Sequence, residues 1–115
     1  MKVEKFEELI AWKKSKELSF YIYKIFKDCR DLSFRSQIER ASVSIMNNIA
    51  EGFERYSKKD FIHFLYISKG SAGEVRSMSI LGFELDYLKK EDFDYINNQS
   101  TEISKILSGL IKSLK

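Results

Sequence analysis

The residues able to do chemistry are few, and their spacing rarely brings the right kinds together. His63 is the only histidine in the chain. Asp60 and His63 stand three apart, the spacing of one half of a di-metal site in a helical bundle. Such a site needs a second carboxylate–histidine pair and further carboxylates; the sequence has no second histidine, so no metal is expected. A Ser-His-acid triad can run only through His63, whose neighbours Ile62 and Phe64 are apolar; that setting predicts an interface or surface histidine instead. Glu51 and Glu74 could be paired as general acid and base. Arg40, Ser44 and Asn48 share their helical spacing, however, and point to a hydrogen-bonded structural role. Gly70-Ser71-Ala72-Gly73 falls inside a helical pattern and lacks the lysine of a phosphate-binding loop. Cys29 has no neighbour that would activate a thiolate. No catalytic residue, no metal and no cofactor are expected, and the chain reads as a non-enzyme.

Positive charge is the better lead. The net charge of +3 is mild for a nucleic-acid binder, but a small charge per copy adds up in an oligomer. In an up-down bundle the start of the first helix, the turn between the second and third, and the C-terminus share one end. That end collects Lys2, Lys5, Arg55, Lys58, Lys59, Lys112 and Lys115, and Lys13 and Lys14 lie one to two turns along the first helix. Glu4, Glu7, Glu8, Glu54 and Asp60 dilute the cluster. Repeated around a ring, these cations would hold RNA or DNA phosphates by counterion release, without reading sequence. Lys13, Lys14, Arg55, Lys58, Lys59, Lys112 and Lys115 are therefore the candidate nucleic-acid contacts. A helix-turn-helix reader fits poorly, because the third helix opens on an apolar run where base-reading polar residues belong.

These residues need long helices to position them. The 115 residues suit one domain, and proline is absent while glycines number only five, which favours uninterrupted helices. Helical periodicity predicts four helices, at about 7–27, 33–55, 58–88 and 91–114, in an all-α, antiparallel up-down-up-down four-helix bundle. Glu7 and Glu8 suit the positive end of the first helix, Ser33 and Ser57 are the expected caps of the second and third, and Lys89 and Lys90 suit the negative end of the third. Trp12 is expected at the edge between core and solvent. No stretch of about 18 apolar residues is present, so no membrane span is expected. The N-terminus shows no signal-peptide pattern and one cysteine cannot form an internal disulfide, so a cytoplasmic location is expected.

Gln37 to Gly52 organises the rest. Phe34, Ile38, Ala41, Ile45 and Ile49 form one apolar line, and Val43, Met46, Ala50 and Phe53 a second, about a third of a turn away. Between them runs a narrow polar seam of Gln37, Arg40, Ser44, Asn48 and Glu51, so this helix expects partners on most sides. Folding back at Tyr56 to Lys58 sets Ala41 opposite Gly73, Ser44 opposite Gly70 and Arg40 level with Glu74. Ala41, Gly70 and Gly73 would then allow close helix packing, and an Arg40–Glu74 pair would fix the register. Aromatics make up 14% of the chain, including six tyrosines, more than one slim bundle buries. Copies of the chain are expected to shield one another.

Ala41-Ser42-Val43-Ser44-Ile45 followed by Asn48-Ile49-Ala50-Glu51-Gly52 resembles the signature of the 23S ribosomal RNA intervening-sequence proteins, the S23 or four helix bundle family. Trp12, Phe64-Leu65, Gly70-Ser71, Glu74 and the run Leu107 to Leu114 extend the resemblance over almost the whole chain. Members often carry proline where Met46 stands and another near Lys27; without them a straighter second helix and a less rigid first connection are expected. The resemblance implies a homopentamer, five bundles around a central channel. It also implies kinship in fold with the accessory variability determinant of diversity-generating retroelements, which binds nucleic acid and a reverse transcriptase. The function expected is that of a non-catalytic oligomer holding RNA or DNA through basic surface. The alternative is a protein scaffold or accessory subunit with no nucleic-acid affinity of its own.

Overall fold

The protein, a computed structural model, is described over residues 3–115, and these residues form four α-helices and no strand. A 3-10 turn, Phe6–Glu8, leads into α1 (Ile10–Ile25), followed by α2 (Leu32–Glu54), α3 (Lys58–Glu84) and α4 (Lys90–Leu114). Each helix packs on its neighbours in the chain and α1 closes against α4, so α1 and α3 lie diagonally opposite, as do α2 and α4. The bundle measures 43 × 21 × 19 Å, two helix diameters across.

That cross-section leaves room for one thin core. Leu18 and Ile22 of α1, and Phe26 at its cap, meet Ile38, Ile45 and Ile49 of α2, Leu65 and Val75 of α3, and Ile96, Ile103 and Leu107 of α4, all essentially sealed from solvent. Val43, Met46, Ala50 and Phe53, the second line on α2, are half-buried. Buried serines bridge the helices. Ser19 Oγ and Ser42 Oγ are 3.0 Å apart between α1 and α2, and Ser68 Oγ donates to the Ile45 carbonyl at 2.7 Å between α3 and α2. Ser15 and Ser100 donate back to the carbonyls of Ala11 and Ile96, so each hydroxyl is satisfied without leaving its own helix.

The helix ends differ from the periodicity in several places. Glu7 and Glu8 belong to the 3-10 turn and not to α1, because Leu9 takes an extended conformation that buries its side chain before the helix starts. Phe26, just past the end of α1, is buried in the core, and Ile25 packs half-buried against it. Asp31, rather than Ser33, caps α2: its carboxylate accepts from the Phe34 N–H at 3.0 Å. Ser57 does cap α3, accepting from the Asp60 N–H at 3.1 Å. The third helix ends at Glu84, before Leu88, because Asp86 turns left-handed (φ 62°). Asp86 N–H then donates to the Phe83 carbonyl and Tyr87 N–H to the Gly82 carbonyl, the paired bonds of a Schellman termination. Lys89 and Lys90 consequently open α4 instead of closing α3. Glu91 and Asp92 in the first turn offset the unfavourable cations there, and Lys90 Nζ pairs with Asp94 at 3.1 Å.

Candidate nucleic-acid interface

One end of the bundle is built by the 3-10 turn, the α2–α3 connection and the last turn of α4. It holds a groove of about 570 Å³, lined on its floor by Phe53, Phe61 and Leu114 and on its rim by Arg55, Tyr56 and Lys58. The lining holds two cations and no carboxylate. Gly52 allows the floor to form: a Cβ there would stand 2.7 Å from Phe64 Cβ and 3.0 Å from the Phe61 ring, so only a hydrogen lets α2 and α3 come this close at the turn. Phe53 and Phe61 meet edge to face at 5.8 Å across the same crossing.

The candidate cations are not equivalent. Lys58 and Lys59 are exposed on the first turn of α3, and Lys112 is exposed near the end of α4; none of the three is in the four ion pairs among the described residues. Arg55 is engaged, bonding Glu51 at 2.8 Å with its guanidinium over the Phe64 ring at 4.9 Å. Lys115 Nζ donates to Tyr66 Oη at 3.3 Å beside a smaller cleft that Lys112 also lines. Lys13 is exposed and outside those ion pairs, whereas Lys14 bonds Glu102 at 2.8 Å. That bond, then the charge of Glu102, raises the Lys14 pKa, so this lysine fastens α1 to α4. Lys5 is exposed at the same end; Lys2 lies outside the described residues.

The polar seam of α2 divides. Ser44 Oγ lies 2.9 Å from Ser71 Oγ, and Asn48 Nδ2 donates to the Ser44 carbonyl and hydroxyl at 2.8 and 2.9 Å. Glu51 turns to Arg55. Arg40 and Glu74 are both exposed, and no ion pair or hydrogen bond joins them, so the register is held by the serine contacts instead. Gly70 and Gly73 do not make the expected close approach. Both are exposed, and a Cβ at either would meet nothing within 4 Å, because Ser68, Ser71 and Ala72 occupy the inward face of α3. Ala41 is buried in the core.

His63 is exposed, edge-on to Phe64 at 5.5 Å. Among the described residues, no three His, Cys, Asp or Glu side chains come together as a metal site. No helix there is long and apolar enough to cross a membrane. Trp12 is half-buried, edge-on to Phe6 at 5.3 Å, with the Lys16 ammonium 5.5 Å over its ring. Along the α1–α4 crossing Tyr21 stacks on Tyr95 at 4.0 Å and donates to the Asp92 carboxylate. Burial, then that bond, pushes the Tyr21 hydroxyl far above the usual tyrosine range.

Tyr56 is the residue that periodicity passed over. It precedes the cap Ser57, where an apolar side chain ordinarily packs back onto the fourth helical residue. That residue is Phe61, and Phe53 already covers it, leaving Tyr56 fully exposed at 106%. An aromatic directly before a capping serine was the available signal.

Fold and surface together define a small all-helical bundle with a mixed but cation-bearing end. The family described as 23S rRNA-intervening sequence protein matches residues 7–109, and the chain belongs to that family. Among solved structures, it is similar to a protein of unknown function from the S23 ribosomal protein family of Bacteroides thetaiotaomicron VPI-5482. The two are 34% identical with a TM-score of 0.84, over 90% of this chain and 99% of that one. No curated protein matches the chain.

Proposed function

We propose that the protein is a non-catalytic interaction protein that assembles into a ring, of five copies as the family resemblance implies, and holds RNA or DNA on the basic ends of its bundles. The observation that carries the assembly is where exposed apolar side chains fall. On α1 they are Ile10, Phe20 and Tyr23; on α3 they are Tyr66, Ile67, Ile80, Leu81 and Leu85; α2 has only Leu32, its first residue, and α4 has none among the described residues. Phe20 and Tyr23, with Met46 of α2, line an open hollow flanked by Lys16. On α3, helical spacing sets Gly70, Glu74 and Ser77 between Ile67 and Leu81, so this face carries a carboxylate where the α1 face carries Lys16. The two faces differ in charge and lie on diagonal helices, which suits a head-to-tail contact, and such contacts make a ring where the rotation between copies closes.

In such a ring the unpaired cations Lys58, Lys59 and Lys112 recur once per copy and sum into a field that one chain of net charge +3 does not make. Sedimentation equilibrium at micromolar concentration tests the assembly: a multimer is expected, and a single-copy species would overturn it. Filter binding of ribosomal and random-sequence RNA across a salt series tests the ligand. Similar affinities for the two, falling steeply with salt, are expected; no binding at low salt would overturn this part.

A further inference from the structure

The end groove has two properties that a plain phosphate-holding surface does not need. Its rim carries a tyrosine ring with no partner among the described residues, and its floor is apolar and aromatic. Phosphates alone ask for cations, and a duplex shows a protein little but phosphates and groove edges. A free ring beside cations is what an unpaired base asks for, because every base has a face that stacks on an aromatic side chain while the backbone passes a positive rim.

Resting on the nucleic-acid reading above, we propose that this groove binds single-stranded nucleic acid, with a base stacked on Tyr56 over the floor of Phe53, Phe61 and Leu114 and the adjoining phosphate held by Lys58. Charge complementarity favours this occupant: the lining offers Arg55 and Lys58 and no carboxylate. Arg55 is already neutralised by Glu51, which leaves Lys58 as the phosphate partner and makes the aromatic contact carry the preference. The volume, about 570 Å³, lies within the usual range for small-ligand sites. Stacking uses the face that every base presents, so ribose and deoxyribose strands are both accepted.

Fluorescence anisotropy with labelled oligo(U), oligo(dT) and a duplex of equal length, at matched salt, tests the proposal on the intact protein. Both single strands should bind with similar affinity and at least about tenfold more tightly than the duplex. Tyr56→Ala should weaken single-strand binding at least about fivefold, the loss of one stacked base, and leave duplex binding unchanged. Tyr56→Phe, which keeps the ring, should stay close to wild type. Because Tyr56 is fully exposed, both variants should melt with the wild type. Duplex bound as tightly as single strands, or single-strand affinity unmoved in Tyr56→Ala, overturns the stacking proposal and leaves phosphate binding standing. No binding of any of the three at low salt overturns the nucleic-acid reading itself.

Discussion

Ser79 sits on the inner face of α3, sealed from water, and its hydroxyl has no hydrogen-bond partner among the described residues. The other buried serines show what it lacks, since Ser15 and Ser100 reach back four residues and Ser68 reaches across to α2. An unmade buried hydrogen bond costs about 1–3 kcal/mol, so Ser79→Ala should raise stability by about 1 kcal/mol in urea unfolding, with no change in assembly. Gly52 is the opposite case. A methyl group there lands on Phe64 Cβ at 2.7 Å and near the Phe61 carbonyl oxygen at 3.3 Å, and that backbone atom has little room to yield. Gly52→Ala should cost about 1–3 kcal/mol, the usual range for overpacking, whereas Gly70→Ala and Gly73→Ala, with open space around them, should leave the isolated bundle as stable or slightly more so. All four variants are read by the same unfolding titration.

At the scale of the element, the first apolar line of α2 was legible because large apolar residues at steps of three and four leave one geometry for burial: Phe34, Ile38, Ala41, Ile45 and Ile49 are buried together. The inward face of α3 was not legible. Its glycines advertise close packing, yet they face solvent while Ser68, Ser71 and Ala72 pack inward, and a serine written in a sequence does not say whether its hydroxyl will be satisfied by its own helix. The caps were half legible, since Ser57 acts as read but Asp31 displaces Ser33. Asp31 joins both connections at the far end of the bundle, accepting from the Phe34 N–H and from Tyr87 Oη at 2.8 Å. These bonds, the backbone one first, hold its carboxyl below the ordinary 3.8. A carboxylate whose folded pKa is lowered adds stability above its unfolded pKa and loses it as pH falls through the folded value. Asp31→Asn, which can still cap, should therefore melt less steeply than wild type as pH is lowered from about 6 toward 2. Parallel melting curves against pH would remove the Asp31 carboxylate from the acid response.

At the scale of the whole molecule, the excess of aromatic residues and the bundle's width are one fact seen twice. A body 21 × 19 Å across has no interior left once its four apolar lines meet, so Phe20, Tyr66, Ile67, Leu81 and Leu85 stay outside. Composition alone said that apolar surface would be left over, but not which faces would hold it. Their placement on diagonal helices makes a prediction that total exposed area does not. In a head-to-tail contact every interface uses one α1 face and one α3 face, so Phe20→Glu or Leu81→Glu, each made in every copy, should each yield single chains by light scattering. Mixing the two variants restores one intact interface per pair, the α3 face of the first against the α1 face of the second, while the other pairing stays blocked. The mixture should therefore give a two-chain species and no larger one. A self-complementary contact behaves otherwise: if α3 met α3, Phe20→Glu alone would remain a dimer, and mixing would create nothing new. A dimer from either variant alone, or a mixture that stays single-chain, would reject the ring, and would do so independently of whether the bundle's end holds nucleic acid.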